Sequence, residues 1–321
     1  MIAALAAAAG VYYTGQSLDA TRRQNTVAEQ GQATDRLAQA AERLTRAVDQ
    51  LDRSGADHLQ ARLGAIYALE RLAHDSPPDH PTIVEVLTAF IRTTTPRPAP
   101  ATTAAKDNTC NEQTTIGADI QAALTVLGRR NANYDQNDMN LRNACLRHAE
   151  LPGANFSDAD LLGANFSDAN LSRANLRTAY LTGASFDGAS LVEASLSEAH
   201  LERVTLVGAF LRQSNFDRAI LDRANLSDAS LLLADLVAAD LSGAILDRTK
   251  LHNADFRDAQ FYGTNLRSLD LSGSDLRGAI LDGAILDGAD LSAVDLRGAQ
   301  HDLFTSVNDV VTNELTKGKW W

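Results

Sequence analysis

From Leu141 to Leu296 every fifth residue is Leu or Phe, at 32 consecutive positions without an exception. Six are Phe (Phe156, Phe166, Phe186, Phe216, Phe256, Phe261) and 26 are Leu. Two residues ahead of each lies a second register, Ala in most repeats, which departs only at Met139, Val204, Ser214, Thr249, Thr264, Leu269, Ser274 and Val294. The unit therefore reads A-(N/D/S)-(L/F)-x-x, as in residues 154–158. Neither regular structure accepts this period. On an α-helix five residues advance about 500°, which leaves successive leucines about 140° apart around the axis. On a strand five is odd, so successive leucines alternate faces. The chain must turn once per repeat, with a short extended piece aiming Leu inward and a corner rich in Gly, Asp, Asn and Ser after it.

Small Ala suits the crowded ground beside a corner, and stacked coils can pair their backbones about 4.8 Å apart. Hydrophobic residues make up 45% of the chain but aromatics only 5%, so the interior must be mainly aliphatic. This pattern resembles the pentapeptide-repeat family, whose A(D/N)LXX units wind four to a coil. The resemblance covers residues 139–298 and implies a mainly β fold, a right-handed quadrilateral β-helix. Thirty-two repeats at four per coil make about eight coils, a rod of roughly 38 Å. Open ends of such a solenoid expose unpaired edges, so caps are expected.

The remaining chain divides by composition. Residues 1–27 open with an apolar run, Ile2 to Tyr13 (IAALAAAAGVYY), followed by Arg22 and Arg23. That run is shorter than the roughly 20 residues that cross a bilayer, and it lacks the basic start of a secretory signal. It reads as an Ala-rich helix or as the end of a truncated membrane anchor, the Arg pair then holding the body in the cytoplasm. Residues 28–92 read as a helical module. Leu37, Leu44, Val48 and Leu51 fall at heptad-like spacing. Leu59, Leu63, Ile66, Tyr67, Leu69 and Leu72 form a stripe. After Ser76-Pro77-Pro78, Pro81 opens a helix that buries Ile83, Val84, Leu87 and Phe90. Residues 93–117 read as a flexible linker. Residues 118–136 hold a cap helix, N-capped by Asp119 and ended by Gly128. Repeats fill 137–299. Residues 300–321 form a C-terminal cap in which Leu303, Phe304, Val307, Val310, Val311 and Leu315 are helically spaced and Trp320 and Trp321 cover the last coil.

A second resemblance lies ahead of the repeats. Gln30-Gly-Gln and Thr34-Asp-Arg, the stretch Thr45 to Leu51, the stretch Arg62 to Arg71, and Asp79 to Leu87 look like bacterial pentapeptide-repeat membrane proteins. In those a membrane helix precedes a helical module, which supports the anchor reading of the N-terminus. This chain departs from them in its short apolar segment and in residues 37–44, which resemble an insertion.

No GxSxG, GxxxxGK[ST], HExxH or CxxC motif is present, so no enzyme and no cofactor is expected. His74, Asp75, Asp79 and His80 approach a metal-ligand spacing, but they suit a helix end and a helix start better. Two cysteines, Cys110 in the linker and Cys145 at an outward repeat position, exclude a disulfide framework and point to a reducing compartment. The net charge of −12 argues against direct nucleic-acid binding. Across residues 137–300 there are 23 acidic and 14 basic side chains, a net of −9.

Residues twenty apart stack on one face. Asp235, Asp255, Asp275 and Asp295 thus form a carboxylate ladder, and Arg257, Arg277 and Arg297 stand beside three of them as a compensating row. Resemblance in the repeats extends to DNA-mimicking inhibitors of DNA gyrase, which makes a topoisomerase or other DNA-handling protein the alternative partner. On another face Val192, Phe210 and Leu232, with Leu233 at the adjoining corner, form an apolar cluster that suggests a contact with a protein partner or a second copy. The sequence thus reads as a non-catalytic interaction scaffold, membrane-tethered with its body in the cytoplasm, or else as a cytoplasmic DNA mimic.

Overall fold

The computed structural model describes Asp35, residues 38–95, Cys110, residues 115–136 and residues 138–321. Its dominant element is a four-sided β-helix. Parallel bridges join each residue ahead of a Leu or Phe to the residue twenty positions on, from Asn140–Asp160 to Ile280–Gln300. Four pentapeptides therefore close one coil. All 32 Leu and Phe side chains are at most 2% exposed, and the Ala register beside them is buried throughout. Phe166 and Phe186, one coil apart, stack with ring centroids 5.2 Å apart.

The repeat sequence follows from an accounting of backbone donors. In the unit 154–158, Asn155 N–H donates to Gly128 O, Phe156 N–H to Asn175 O of the next coil, and Asp158 N–H to Arg177 O. Ala159 N–H, the first donor of the following unit, closes the turn onto Phe156 O at 3.2 Å. Ser157 N–H remains, and the Asn155 side chain accepts it at 3.1 Å. The same side-chain turn recurs at Asn215, Asn225, Asp235, Asp255 and Asp275, which is why Asn and Asp favour the position ahead of Leu. The second residue after each Leu has a positive φ, between 54° and 78°, in all 32 turns. Glycine fills twelve of these corners; Ala238 and Leu233 are among the twenty side-chain-bearing residues held there. Where Ser or Thr replaces Ala, the hydroxyl finds a carbonyl, as Thr249 does on Leu226 O at 2.9 Å and Thr264 on Leu241 O at 2.9 Å.

Among the described residues the ladder breaks at two places, Ile245/Asn265 and Lys250/Asp270. Thr249 and Leu269 stack one above the other in the register that elsewhere carries Ala. They lie immediately ahead of the Lys250/Asp270 break.

The C-terminal residues correct the helical expectation. Residues 300–317 form a further, looser coil, with Ser306, Val311 and Lys317 bridged to Ile285, Asp290 and Asp295. Its spacing to the coil below widens from twenty to 21, 21 and 22 residues. Carboxylates hold it. Asp302 accepts N–H groups of Gly283, Phe304 and Thr305 at 2.8 to 3.0 Å. Asp287 accepts from Asn308 N–H at 2.9 Å, from Arg267 at 2.9 Å and from the Ser306 hydroxyl. Leu303 and Phe304 are not buried in a helix but are 99% and 80% exposed at a turn. Trp320 stacks on His301 at 4.4 Å and meets Trp321 edge-on.

The helices cap the other end. Residues 38–51 form α1, Leu59–Asp75 α2, His80–Thr94 α3 and Ala118–Arg129 α4. Pro77–Asp79 make a 3-10 turn that reverses the chain, and Pro81 occupies the first turn of α3. Ile66, Leu69 and Leu72 of α2, Ile83, Leu87 and Ile91 of α3, and Ile120, Leu124 and Leu127 of α4 share one core that continues into the first coil. Tyr67, expected in the α2 stripe, is instead 50% exposed. Asp119 is not the cap of α4: Gly117 precedes the helix, and Asp119 is buried in an ion pair with Arg62 of α2 at 2.6 Å. Nor does Gly128 end α4; it lies inside the helix where Ala154 leaves room for no Cβ. Residues 1–34 and Leu37, with the anchor expectation and part of the heptad pattern, lie outside the described residues, as do 96–109 and 111–114 of the expected linker.

Candidate interaction surfaces

The first coil has no coil ahead of it, so its outward N–H groups need other partners. The helical module supplies three. Cys145 N–H donates to Thr95 O at 2.8 Å, just past α3, and Asn155 N–H to Gly128 O of α4 at 2.8 Å. The Gln121 side chain accepts Glu150 N–H at 2.9 Å and donates to Glu150 O at 2.7 Å. The module is thus docked on the β-helix as its cap.

A buried polar cluster locks this junction. His80 Nε2 lies 2.9 Å from one oxygen of Asp135, and Arg130 Nε donates to the other at 2.7 Å. Arg130 also donates to Leu127 O and to Asn155 O of the first coil. His80 is 3% exposed and His74 is exposed at the end of α2, and both line one groove between the helices. No group of three or more His, Cys, Asp or Glu among the described residues could hold a metal ion. Two grooves of about 470 and 530 Å³ lie among the helices, one over Phe90 and the Arg62–Asp119 pair, the other between Tyr67 and Tyr134. The β-helix interior is filled by its own side chains.

The cysteines correct the expectation of free thiols. Cys110 and Cys145 form a disulfide, with Cα atoms 5.9 Å apart, and Cys110 is 4% exposed. Sequence reasoning missed the pair because 35 residues separate its members and no local pattern joins them.

The charge ladder assembles on one face, where Asp235, Asp255, Asp275 and Asp295 bridge in succession. Each arginine turns back onto the aspartate two residues before it: Arg257 on Asp255, Arg277 on Asp275 and Arg297 on Asp295, at 2.6 to 2.7 Å. Arg297's side chain holds the Asp295 carboxyl down at about 2. For Asp275 burial pushes the pKa up, but the hydrogen bonds and charge of Arg277 outweigh it and the net direction is down. The Asp275 and Asp295 carboxylates are therefore held charged by the arginines they pair with, and Asp255 is paired with Arg257 in the same way. Asp235, with Val237 in place of an arginine, accepts only the Val237 N–H at 3.1 Å among its side-chain hydrogen bonds.

On the next face Phe210 bridges Ser190 and Ser230, which sets Val192 and Leu232 on the flanking coils. Phe210 is 56% exposed and Leu233, at a corner with φ 60°, is 49% exposed; Val192 and Leu232 are half-buried beside them. An apolar ring and an apolar corner thus stand in solvent where the repeat ordinarily carries polar residues.

Twenty-residue coils, a filled interior and left-handed corners define a β-solenoid built from pentapeptides. The Pentapeptide repeats family model matches residues 140–177, 159–197, 194–231, 234–268 and 259–298, in eight copies. The chain belongs to the pentapeptide-repeat family, whose fold is a right-handed quadrilateral β-helix. Among solved structures it is similar to HetL, a pentapeptide repeat protein involved in heterocyst differentiation regulation from the cyanobacterium Nostoc, at 32% identity and a TM-score of 0.35. That match covers 54% of this chain and 86% of HetL. A thylakoid-lumen pentapeptide repeat protein of Arabidopsis thaliana matches at 31% identity and a TM-score of 0.22, over 34% of this chain and 66% of that one. QnrB1, a plasmid-mediated fluoroquinolone resistance protein, matches at 16% identity and a TM-score of 0.27, over 54% of this chain and 91% of its own. Comparison with the curated protein sequences finds no match.

Proposed function

We propose that this chain is a non-catalytic scaffold that binds another protein through the outer surface of its β-helix, with Phe210, Leu233, Val192 and Leu232 at the centre of the contact. The observation that carries this reading is the exposure of Phe210 and Leu233 on neighbouring coils, where most repeats carry polar residues or glycine. Aromatic and aliphatic anchors of this kind, rimmed by polar residues, supply the central energy of protein interfaces. The polar rim is present in Ser190, Glu193, Arg212 and Ser230. Catalysis would call for a cleft with convergent polar groups, and a rod filled by Leu, Phe and Ala offers its partner a surface.

The DNA-mimic reading is weaker, because the aspartate ladder carries its own arginines and presents a mixed-charge surface to a phosphate-reading protein. Membrane tethering rests on the apolar residues 2–13 and on the resemblance of the helical module; no helix among the described residues is long and apolar enough to cross a membrane.

The test is site-specific photo-crosslinking in the native cell from position 210, with Leu233→Asp as the competing variant. A discrete crosslinked protein band that Leu233→Asp abolishes is the expected result. A band unchanged by Leu233→Asp, or none at all, rejects this face as the contact. Inhibition of topoisomerase supercoiling by the purified chain at micromolar concentration would turn the reading to the mimic.

A further inference from the structure

The disulfide sits at a point where the chain is already gathered. Cys145 N–H donates to Thr95 O at 2.8 Å, and Cys145 Sγ is bonded to Cys110. One residue of the first coil therefore pins both the exit from α3 and a position fifteen residues further on. Beyond Cys110 the chain runs through α4, whose Gly128 and Gln121 cap the next two edges of the same coil. The covalent link closes a 35-residue separation that contains the whole of α4. Both cysteines of the chain are used in it.

We propose that the Cys110–Cys145 disulfide makes the cap of the β-helix conditional on an oxidising environment, so that the folded body of this chain works in a compartment where thiols are kept oxidised. This placement replaces the cytoplasmic one that Arg22 and Arg23 suggest, since bridges of this kind do not persist against cytosolic thiols. Formation needs a disulfide-carrying oxidant. One cysteine thiolate attacks it and forms a mixed disulfide, and the second cysteine then displaces the carrier as a dithiol. Two protons and two electrons leave the chain in the process. A dithiol reductant reverses the step and frees Cys110 from Cys145. The edge at Cys145 then keeps only its single backbone hydrogen bond to Thr95, without a covalent tie behind it.

The experiment uses the full chain. Cells expressing it from the native locus are treated with a membrane-permeant maleimide before lysis, and intact mass is measured with and without prior reduction. No adduct before reduction and two after it are expected; two adducts before reduction overturn the proposal. Amide hydrogen exchange on the purified chain supplies a second readout. Cys145 N–H is expected to exchange at least tenfold faster in Cys110→Ser than in the oxidised protein. Leu221 N–H, bonded to Asp240 O at 2.7 Å in the middle of the rod, is expected to be unaffected. Equal protection of Cys145 in both proteins would show that the bridge does not hold the cap.

Discussion

Gly128 and Gly64 offer a matched test of how tightly the helical cap is seated. Both carry helical backbone, Gly64 inside α2 and Gly128 in the last turn of α4, and Gly→Ala in a helix ordinarily gains up to about 1 kcal/mol from backbone entropy. A Cβ on Gly64 would meet nothing within 4 Å, so Gly64→Ala should show that gain in full. A Cβ on Gly128 would stand 2.7 Å from the Ala154 Cβ and 3.4 Å from its Cα. Both obstacles belong to a short side chain and to backbone, so neither can swing aside. The helix must lift off the first coil, loosening the 2.8 Å bond between Gly128 O and Asn155 N–H. Overpacking of this kind costs roughly 1–3 kcal/mol. That exceeds the helical gain, so Gly128→Ala should be destabilised by up to about 2 kcal/mol. Subtracting the two variants removes the helical term and leaves the contact itself, about 1–3 kcal/mol. Urea denaturation followed by helical circular dichroism measures the difference, and exchange of the Asn155 amide localises it. Gly128→Ala as stable as Gly64→Ala would mean that α4 does not rest on Ala154, and the cap assignment would fall with it.

Two further outcomes are expected. Ala238 holds a corner at φ 55°, where a Cβ costs roughly 1 kcal/mol, so Ala238→Gly should raise the denaturation midpoint, against the usual sign of that substitution; a lowered midpoint would refute the strain argument. Asp287, held at about 2 by the Ser306 hydroxyl, the Asn308 N–H and Arg267, and Asp302, lowered by the Gly283 N–H, fasten the final coil. Because their folded values lie below the unfolded carboxylate value of about 4, the stability they lend is whole above pH ~4 and is lost as pH falls towards ~2. The only two tryptophans, Trp320 and Trp321, report on that coil. Their fluorescence should change within this window and shift to higher pH in Asp302→Asn, whereas a signal flat to pH 2 would mean that the coil is held by other contacts.

The parts legible in the sequence are those whose causes are local. The Leu and Phe register had to point inward because a five-residue period fits no helix or strand, and all its members are buried. The apolar cluster and the charge ladder followed once residues twenty apart were placed on one face, and the bridges put them there. What escaped depends on distance or on competition between geometries. Cys110 and Cys145 meet only because α3 and α4 fold back onto one coil. Asp119 had the identity of a helix cap, but Arg62, 57 residues earlier, takes its carboxylate. Leu303, Phe304, Val307 and Val310 mimic a helical rhythm because the last coil's turns drift from five-residue spacing, scattering apolar residues at intervals of one, three and four.

The twenty-residue closure of each coil also sets what insertions and deletions such a gene can survive. Gain or loss of a twenty-residue block changes the rod by about 4.8 Å and returns every surviving side chain to the face it held before. Gain of five residues between the cap and Phe210 keeps the interior filled but carries the apolar cluster a quarter-turn away from the helices. Gain of one residue throws the following leucines into solvent. Across related genes, lengths should therefore differ in whole coils where the bearing of a binding face relative to the cap matters, and in single pentapeptides where it does not.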